Sequence, residues 1–338
     1  MKLKRVLMLK MSGEDISFMQ DKLKKFGFFR DKIDGYFGQN TLVAVTNFQK
    51  EIGLRVDGVV GSQTWSHLIN YQTKSEVLAK AELVKEAEPN KDIPNNISFI
   101  GEDGLQIYDN FLSDNEYYKK ETKKDTIWLH HTAGGSRPDW TIGGWENDFQ
   151  KDKEGNTLLD KNGNPKAIRV GTHFVIGRSS SSSDDKLWDG KILRAFEDKY
   201  WCYHLGINGS KSEELNSKSI GIEICNYGPL KLAKDSRFYN YVNKPINEKD
   251  VVELENPFRG YKYWEKYTDT QIESTRKLIL FLKNRWGIEI ETGIYNEDWF
   301  EYDEKWFSLG GLRTHTQVRK DKFDLFPQPE LIQMLNSF

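Results

Sequence analysis

The pattern that most constrains this chain is a repeat near its start. Ile33-Asp34-Gly35-Tyr36-Phe37-Gly38-Gln39-Asn40-Thr41 recurs as Val56-Asp57-Gly58-Val59-Val60-Gly61-Ser62-Gln63-Thr64, with aspartate, both glycines and threonine at one constant offset. Repetition at a fixed spacing marks one small structural unit used twice. Each copy reads as a turn opening a helix: Asp-Gly makes the turn, the second glycine relieves the backbone, and the threonine is placed to cap the helix that follows. The flanking residues carry helical spacing. Ile16, Met19, Leu23 and Phe26 form one apolar face closed by Gly27, and Leu42, Val45 and Phe48 begin the next. A small helical domain over residues 1–71 is expected.

Residues 72–96 change character. Ser75–Glu88 is rich in Ala, Glu, Lys, Leu and Val, and Pro89 and Pro94 follow. This reads as a partly helical, semi-rigid linker. At 338 residues the chain exceeds what one core usually serves, so a second domain over 97–338 is expected.

Composition bounds the function. Lys and Arg number 49 against 51 Asp and Glu, so no excess charge exists to hold a nucleic acid or an anionic membrane. The longest apolar stretch, Leu278–Leu282, is far short of the ~20 residues of a membrane span. Basic residues interrupt Met1–Lys10 and no small-residue cleavage site follows, so synthesis as a soluble cytoplasmic chain is expected. Cys202 and Cys225 stand apart from any C-x-x-C pair and read as free thiols. Nothing points to an obligate protein partner. The ten tryptophans suit either a core or a groove for sugars or peptides.

Chemistry concentrates in the second domain, which holds five of the six histidines. Thr126-Ile127-Trp128-Leu129-His130-His131-Thr132-Ala133-Gly134-Gly135 reads as a strand entering a glycine turn. Side chains alternate along a strand, so His130 shares a face with Trp128 and His131 shares one with Ile127 and Leu129. His130 is the better metal ligand, and His131 the better packed residue. Gly171–Arg178 reads as a second strand, and Ser179–Asp185 as a hairpin connection. In Ser219-Ile220-Gly221-Ile222-Glu223-Ile224 the isoleucines make one face and leave Glu223 on the other. A carboxylate in such company is costly unless paired or protonated, and its raised pKa suits a general base. Thr268 and Gln271 form a capping box for a sheet-covering helix with a stripe of Ile272, Ile279, Leu282 and Trp286, stopped by Gly287. Arg313–Asp324 reads as a polar loop that must fold back to bring His315 and an aspartate together. Two histidines and one carboxylate are an attested catalytic zinc set.

Two resemblances sharpen this. The doubled D-G-x-x-G-x-x-T motif with Phe48-Gln49 resembles the three-helix peptidoglycan-binding domain. That resemblance implies an all-α module that takes peptidoglycan as its partner. From about Ile97 to Phe338 the chain resembles the zinc N-acetylmuramoyl-L-alanine amidases of the phage endolysin and peptidoglycan-recognition type. The resemblance rests on His130-His131-Thr132-Ala133-Gly134, His173-Phe174-Val175-Ile176, Trp201–Gly206, Ser219–Glu223, and His315 with Lys322-Phe323-Asp324. It implies an α/β domain with a central mixed sheet flanked by helices, a Zn2+ cofactor held by His130, His315 and Asp324, and Lys322 stabilising the transition state. Asp321 competes for the ligand position, but the Lys-x-Asp spacing favours Asp324. Where some members carry a catalytic tyrosine this chain has Thr172, and Glu223 matches the carboxylate other members use. His204, Thr172 and His131 are expected to contact substrate. The insertion Lys151–Lys166 resembles a calcium loop only faintly, lacks its closing glutamate, and reads as an Asn-Gly hairpin. The expected activity is cleavage between N-acetylmuramic acid and L-alanine, in an endolysin that reaches the wall at lysis. The alternatives are an inactive wall-binding receptor, a zinc peptidase cutting elsewhere in the stem peptide, and a structural adhesion protein.

Overall fold

The computed structural model describes residues 3, 5–52, 54–70, 97–101, 104–180, 186–290 and 293–338. The expected linker at 72–96 and most of the expected hairpin at 179–185 lie outside them. The chain divides into two compact units. One gathers Met1–Pro94, Leu112–Glu116 and Gly143–Ile168. The other gathers Asn95–Phe111, Tyr117–Ile142 and Arg169–Phe338.

The first unit carries helices α1 (Glu14–Lys25), α2 (Gln39–Glu51) and α3 (Ser62–Asn70). Ile16, Met19 and Leu23 of α1 meet Val45 and Phe48 of α2 and Trp65 and Leu68 of α3 in one buried cluster. The repeat has a physical cause that the residues alone do not announce. Gln20 is buried and its Nε2 donates to Asp34 Oδ1, Tyr36 O and Thr41 Oγ1, while its Oε1 accepts from the backbone of Asp34 and Gly35. Gln49 repeats the arrangement with Asp57 Oδ1, Val59 O, Thr64 Oγ1 and Gly58 N. The threonines therefore close these glutamine-centred turns. The cap position of α2 belongs to Gly38, which makes no side-chain cap bond. The insertion forms two Asp-x-x-Gly turns: the expected Asn-Gly hairpin, with Asn162-Gly163 at its tip and Leu159 bridging Pro165 antiparallel, and a further turn over Asp152–Gly155, where Lys151 bridges Thr157. Asp152 and Asp160 each accept backbone N–H groups, and Gly155 and Gly163 take positive φ.

The rest of the chain, in order, forms β1 (Ile97–Ile100), β2 (Gln106–Asp109), β3 (Thr126–His131), α4 (Pro138–Glu146), β4 (Phe174–Ile176), β5 (Ile192–Arg194), α5 (Ser212–Ser217) and β6 (Ser219–Ile224). Then follow β7 (Pro229–Leu232), β8 (Phe238–Tyr239), β9 (Pro245–Ile246), β10 (Val251–Phe258), β11 (Tyr261–Glu265), α6 (Asp269–Trp286), β12 (Gly311–Thr314) and α7 (Pro329–Leu335). A mixed seven-stranded sheet runs β1-β2-β5-β4-β6-β3-β12. Its centre is parallel: β3 pairs β6 on one side and β12 on the other, and β4 pairs β6. Ile127 and Leu129 of β3, Ile220, Ile222 and Ile224 of β6, and Leu278, Ile279 and Leu282 of α6 belong to one buried cluster. Helix α6 has the expected capping box at Thr268 and Gln271 and ends at Gly287 in the left-handed conformation. Most of the tryptophans pack inside, although Trp140 is exposed. Cys202 and Cys225 are buried thiols outside any disulfide, and Cys202 Sγ donates to Gly171 O.

Two regions depart from the sequence expectation. Arg313–Asp324 is not a loop throughout, because its start completes strand β12 and His315–Gln317 forms a 3-10 turn. A polar four-residue strand with no alternation carries no strand signal, and pairing with β3 creates it. A second, antiparallel sheet, β10-β11-β7-β8-β9, is inserted between β6 and α6. Within β10 only Leu254 is fully buried, so the period-two pattern is missing there too. Among the described residues no helix is long and apolar enough to cross a membrane.

Candidate metal centre and active site

Three parallel strands end at the same level and bring the expected residues together. In register, His130 of β3 faces Glu223 of β6, and Leu129 faces Thr314 of β12, so His315 emerges beside His130. Ligand sites of open α/β sheets sit at such carboxyl ends. The chain then turns back through Lys322 N donating to Arg319 O and delivers Asp324 to the same point.

His130 Nδ1 lies 3.0 Å from His315 Nδ1, and Asp324 Oδ2 lies 2.6 Å from His315 Nδ1 and 3.4 Å from His130 Nδ1. They are the one group of three or more metal-ligating side chains found among the described residues. A tetrahedral ion with bonds of about 2.0–2.1 Å spaces its ligand atoms roughly 3.3 Å apart, so these separations suit a single small cation. The far side of His315 is committed, since its Nε2 donates to Leu205 O at 2.8 Å. Asp321 is turned outward and held in a two-pronged contact with Arg319.

Electrostatics follow from burial. Burial, then the neighbouring charge of His315, pushes His130 down to about 4, so it is neutral and can ligate at physiological pH. Burial alone would raise Asp324, but the imidazoles of His315 and His130 outweigh it and hold the carboxyl well below its ordinary range. Glu223 is half-buried, and its Oε2 is enclosed without a hydrogen-bond partner. Burial and the charge of Asp324 raise its pKa well above the ordinary value, and the half-buried Lys322 partly opposes them.

The three expected substrate contacts are placed differently. His131 projects to the opposite face from His130, as alternation requires. Its Nδ1 meets Tyr267 Oη at 2.8 Å and accepts from Leu325 N at 3.3 Å, so it anchors the backbone next to Asp324 and does not face the cluster. Thr172 is buried and donates to Phe174 O, because its neighbour His173 and the strand β4 draw it into the sheet. His204 is buried behind His130, with Nδ1 3.0 Å from His130 Nε2. Sequence reasoning missed Tyr267, Leu205 and Tyr241, whose hydroxyl donates to Ala133 O just past the two histidines. An aromatic in a connecting segment or a turn, or a backbone carbonyl, leaves no motif to find.

Comparison with known families decides the lineage. The N-acetylmuramoyl-L-alanine amidase family model matches residues 120–321, more than half of the chain. The chain belongs to this amidase family. A peptidoglycan binding domain model matches residues 12–68. Over 58 residues the chain is 47% identical to the spore cortex-lytic enzyme of Bacillus cereus, covering 17% of this chain and 22% of that protein. Over 82 residues it is 30% identical to the Mycobacterium tuberculosis N-acetylmuramoyl-L-alanine amidase CwlM, covering 23% of this chain and 20% of that one. The chain thus spans about a fifth of the length of these curated relatives. The E. coli N-acetylmuramyl-L-alanine amidase AmiD, solved with an anhydro-N-acetylmuramic acid peptide, aligns at 17% identity and a TM-score of 0.33 over 70% of this chain and 65% of that one.

Proposed function

We propose that this amidase-family chain is a zinc-dependent hydrolase of peptidoglycan that cuts the amide between N-acetylmuramic acid and L-alanine. The observation that carries the reading is the convergence of His130 Nδ1, His315 Nδ1 and Asp324 Oδ2 beside the uncompensated carboxylate of Glu223. Zinc held there supplies Lewis acidity, which polarises a carbonyl and brings the pKa of water toward ~7.

The protein's own groups do the rest. Glu223, one strand from His130, takes the proton of the attacking water and returns it to the leaving nitrogen. Its raised pKa makes it a competent acceptor near neutral pH. Lys322 contributes a fixed positive charge for the oxyanion that develops on the carbonyl. His131 holds the segment that carries Asp324. The module at 1–71 binds the wall, residues 72–96 link it, and 97–338 act on the bond. The setting we favour is a phage or prophage endolysin that meets the wall at lysis.

The test is digestion of purified peptidoglycan with and without a chelator, with mass analysis of the products. Glycan ending in free lactyl groups together with intact stem peptides is expected, and zinc restores the activity that chelation removes. His130→Ala and Asp324→Ala should each lose both bound zinc and activity. Cleavage inside the stem peptide would identify a peptidase, and wall binding without products a receptor.

A further inference from the structure

Behind the ligand cluster runs a row of buried polar groups that neither the family comparison nor the proposed chemistry uses. His130 Nε2 lies 3.0 Å from His204 Nδ1, His204 Nε2 lies 2.9 Å from Ser219 Oγ, and Ser219 Oγ donates to the carbonyl of Asn216 at 3.3 Å. His130, His204, Ser219 and Asn216 are all buried. The row has a direction. A carbonyl can only accept, so with Ser219 donating to Asn216 its oxygen is left to accept from His204 Nε2–H. His204 Nδ1 then carries a lone pair and must accept from His130 Nε2–H. The proton of His130 is thereby held on Nε2, and the lone pair of Nδ1 faces His315 and Asp324. Run in reverse, the Asn216 carbonyl loses its hydroxyl donor and a proton is forced onto Nδ1, amid the atoms that would bind the metal.

The next residue acts on the other histidine. Leu205 O accepts from His315 Nε2–H at 2.8 Å, which likewise leaves Nδ1 of His315 to the cluster. One side chain holds this dipeptide in place: Asn216 Oδ1 accepts from both His204 N and Leu205 N, at 2.8 and 3.1 Å, while its Nδ2 donates to Ser212 O. Space for the ring is also provided. A Cβ at Gly221 would stand 3.1 Å from His204 Nδ1 and 2.7 Å from Thr172 Cγ2. The glycine of the Ser219-Ile220-Gly221 strand and the buried Thr172 therefore frame His204.

We infer that His204, Ser219 and Asn216 are positioning residues that set the tautomers of the two histidine ligands, His204 through its side chain for His130 and Leu205 through its carbonyl for His315. Groups that orient a ligand from behind commonly change metal affinity by about 10–100-fold when removed. The inference rests on the zinc reading above, and its test separates the two.

Nitrogen-15 NMR of the metal-free protein reads the His130 tautomer directly, and chelator competition reads zinc affinity. The wild type should show His130 protonated at Nε2. His204→Phe should abolish that preference and weaken zinc by about 10–100-fold. His204→Asn, whose amide oxygen can replace Nδ1 as acceptor, should retain zinc within a few-fold. Ser219→Ala, a smaller change that keeps the fold if His204→Phe does not, should return His130 to a mixture of tautomers. A folded His204→Phe or Ser219→Ala protein with wild-type tautomer and wild-type zinc affinity overturns the inference. A wild type that binds no zinc removes the metal reading instead, while the His130 spectra still decide the relay.

Discussion

Replacing Glu223 by glutamine separates catalysis from stability at a single position. The amide has the shape of the carboxyl but cannot take a proton from water. General-base assistance is typically worth 10²–10⁴ in rate, so turnover should fall by that factor, or by about 3–5 kcal/mol at the barrier. Zinc content should stay that of the wild type, because Glu223 is not among the three converging ligand atoms. Stability should move the other way. Oε2 is enclosed and without a partner, and an unsatisfied buried group costs about 1–3 kcal/mol. Glutamine removes the charge but keeps a polar group in that place, so a net gain of about 1 kcal/mol is expected in the metal-free protein at neutral pH. The sign follows from linkage. The folded-state pKa of Glu223 is raised, so between the unfolded value near 4.3 and the folded value the native state binds more protons, and wild-type stability falls as pH rises through that window. The advantage of Glu223→Gln should therefore vanish at about pH 4 and grow above it. Denaturant titrations of both metal-free proteins at pH 4 and pH 7.5, with muropeptide turnover and bound zinc measured in parallel, test all three. Turnover within about threefold of wild type would place the base elsewhere. Loss of zinc along with activity would make Glu223 a ligand, and an equal stability change at both pH values would refute the electrostatic argument.

Lys322→Met should lower turnover by about 10²–10³ while leaving zinc bound, since losing one stabiliser of a developing oxyanion costs roughly that much; turnover and metal content measured together check it. Gln20→Ala removes five contacts at the centre of the first repeat, at about 0.5–1.5 kcal/mol each, or about 2.5–7.5 kcal/mol together. That approaches the whole stability of a small domain at roughly 0.05–0.15 kcal/mol per residue. The variant should lose sedimentation with wall fragments yet still cleave soluble muropeptides, and retained sedimentation would show that the glutamine-centred turn is dispensable.

How much was legible in advance depended on how far each feature reaches along the chain. The repeat, the capping box at Thr268 and Gln271, and the choice of His130 over His131 are local, because they follow from turn chemistry, helix-end hydrogen bonds and the two-residue period of a strand. Burying Ile127 and Leu129 is enough to send His131 toward the same core and leave His130 on the other face. The pairing of His130 with His315 is not local. It depends on β12 lying in parallel register beside β3, and nothing in Gly311-Leu312-Arg313-Thr314 announces a strand until β3 offers its free edge. The return of Asp324, in preference to Asp321, depends on Arg319 claiming Asp321 and on His131 holding Leu325. The place of His204 behind His130 needs the gap at Gly221, and Thr172 turns out to frame that gap. Residue type and periodicity determine which atoms a segment can offer and to which face. Long-range strand pairing decides which of those atoms meet, because the free energy that fixes the register comes from partners far away in the chain.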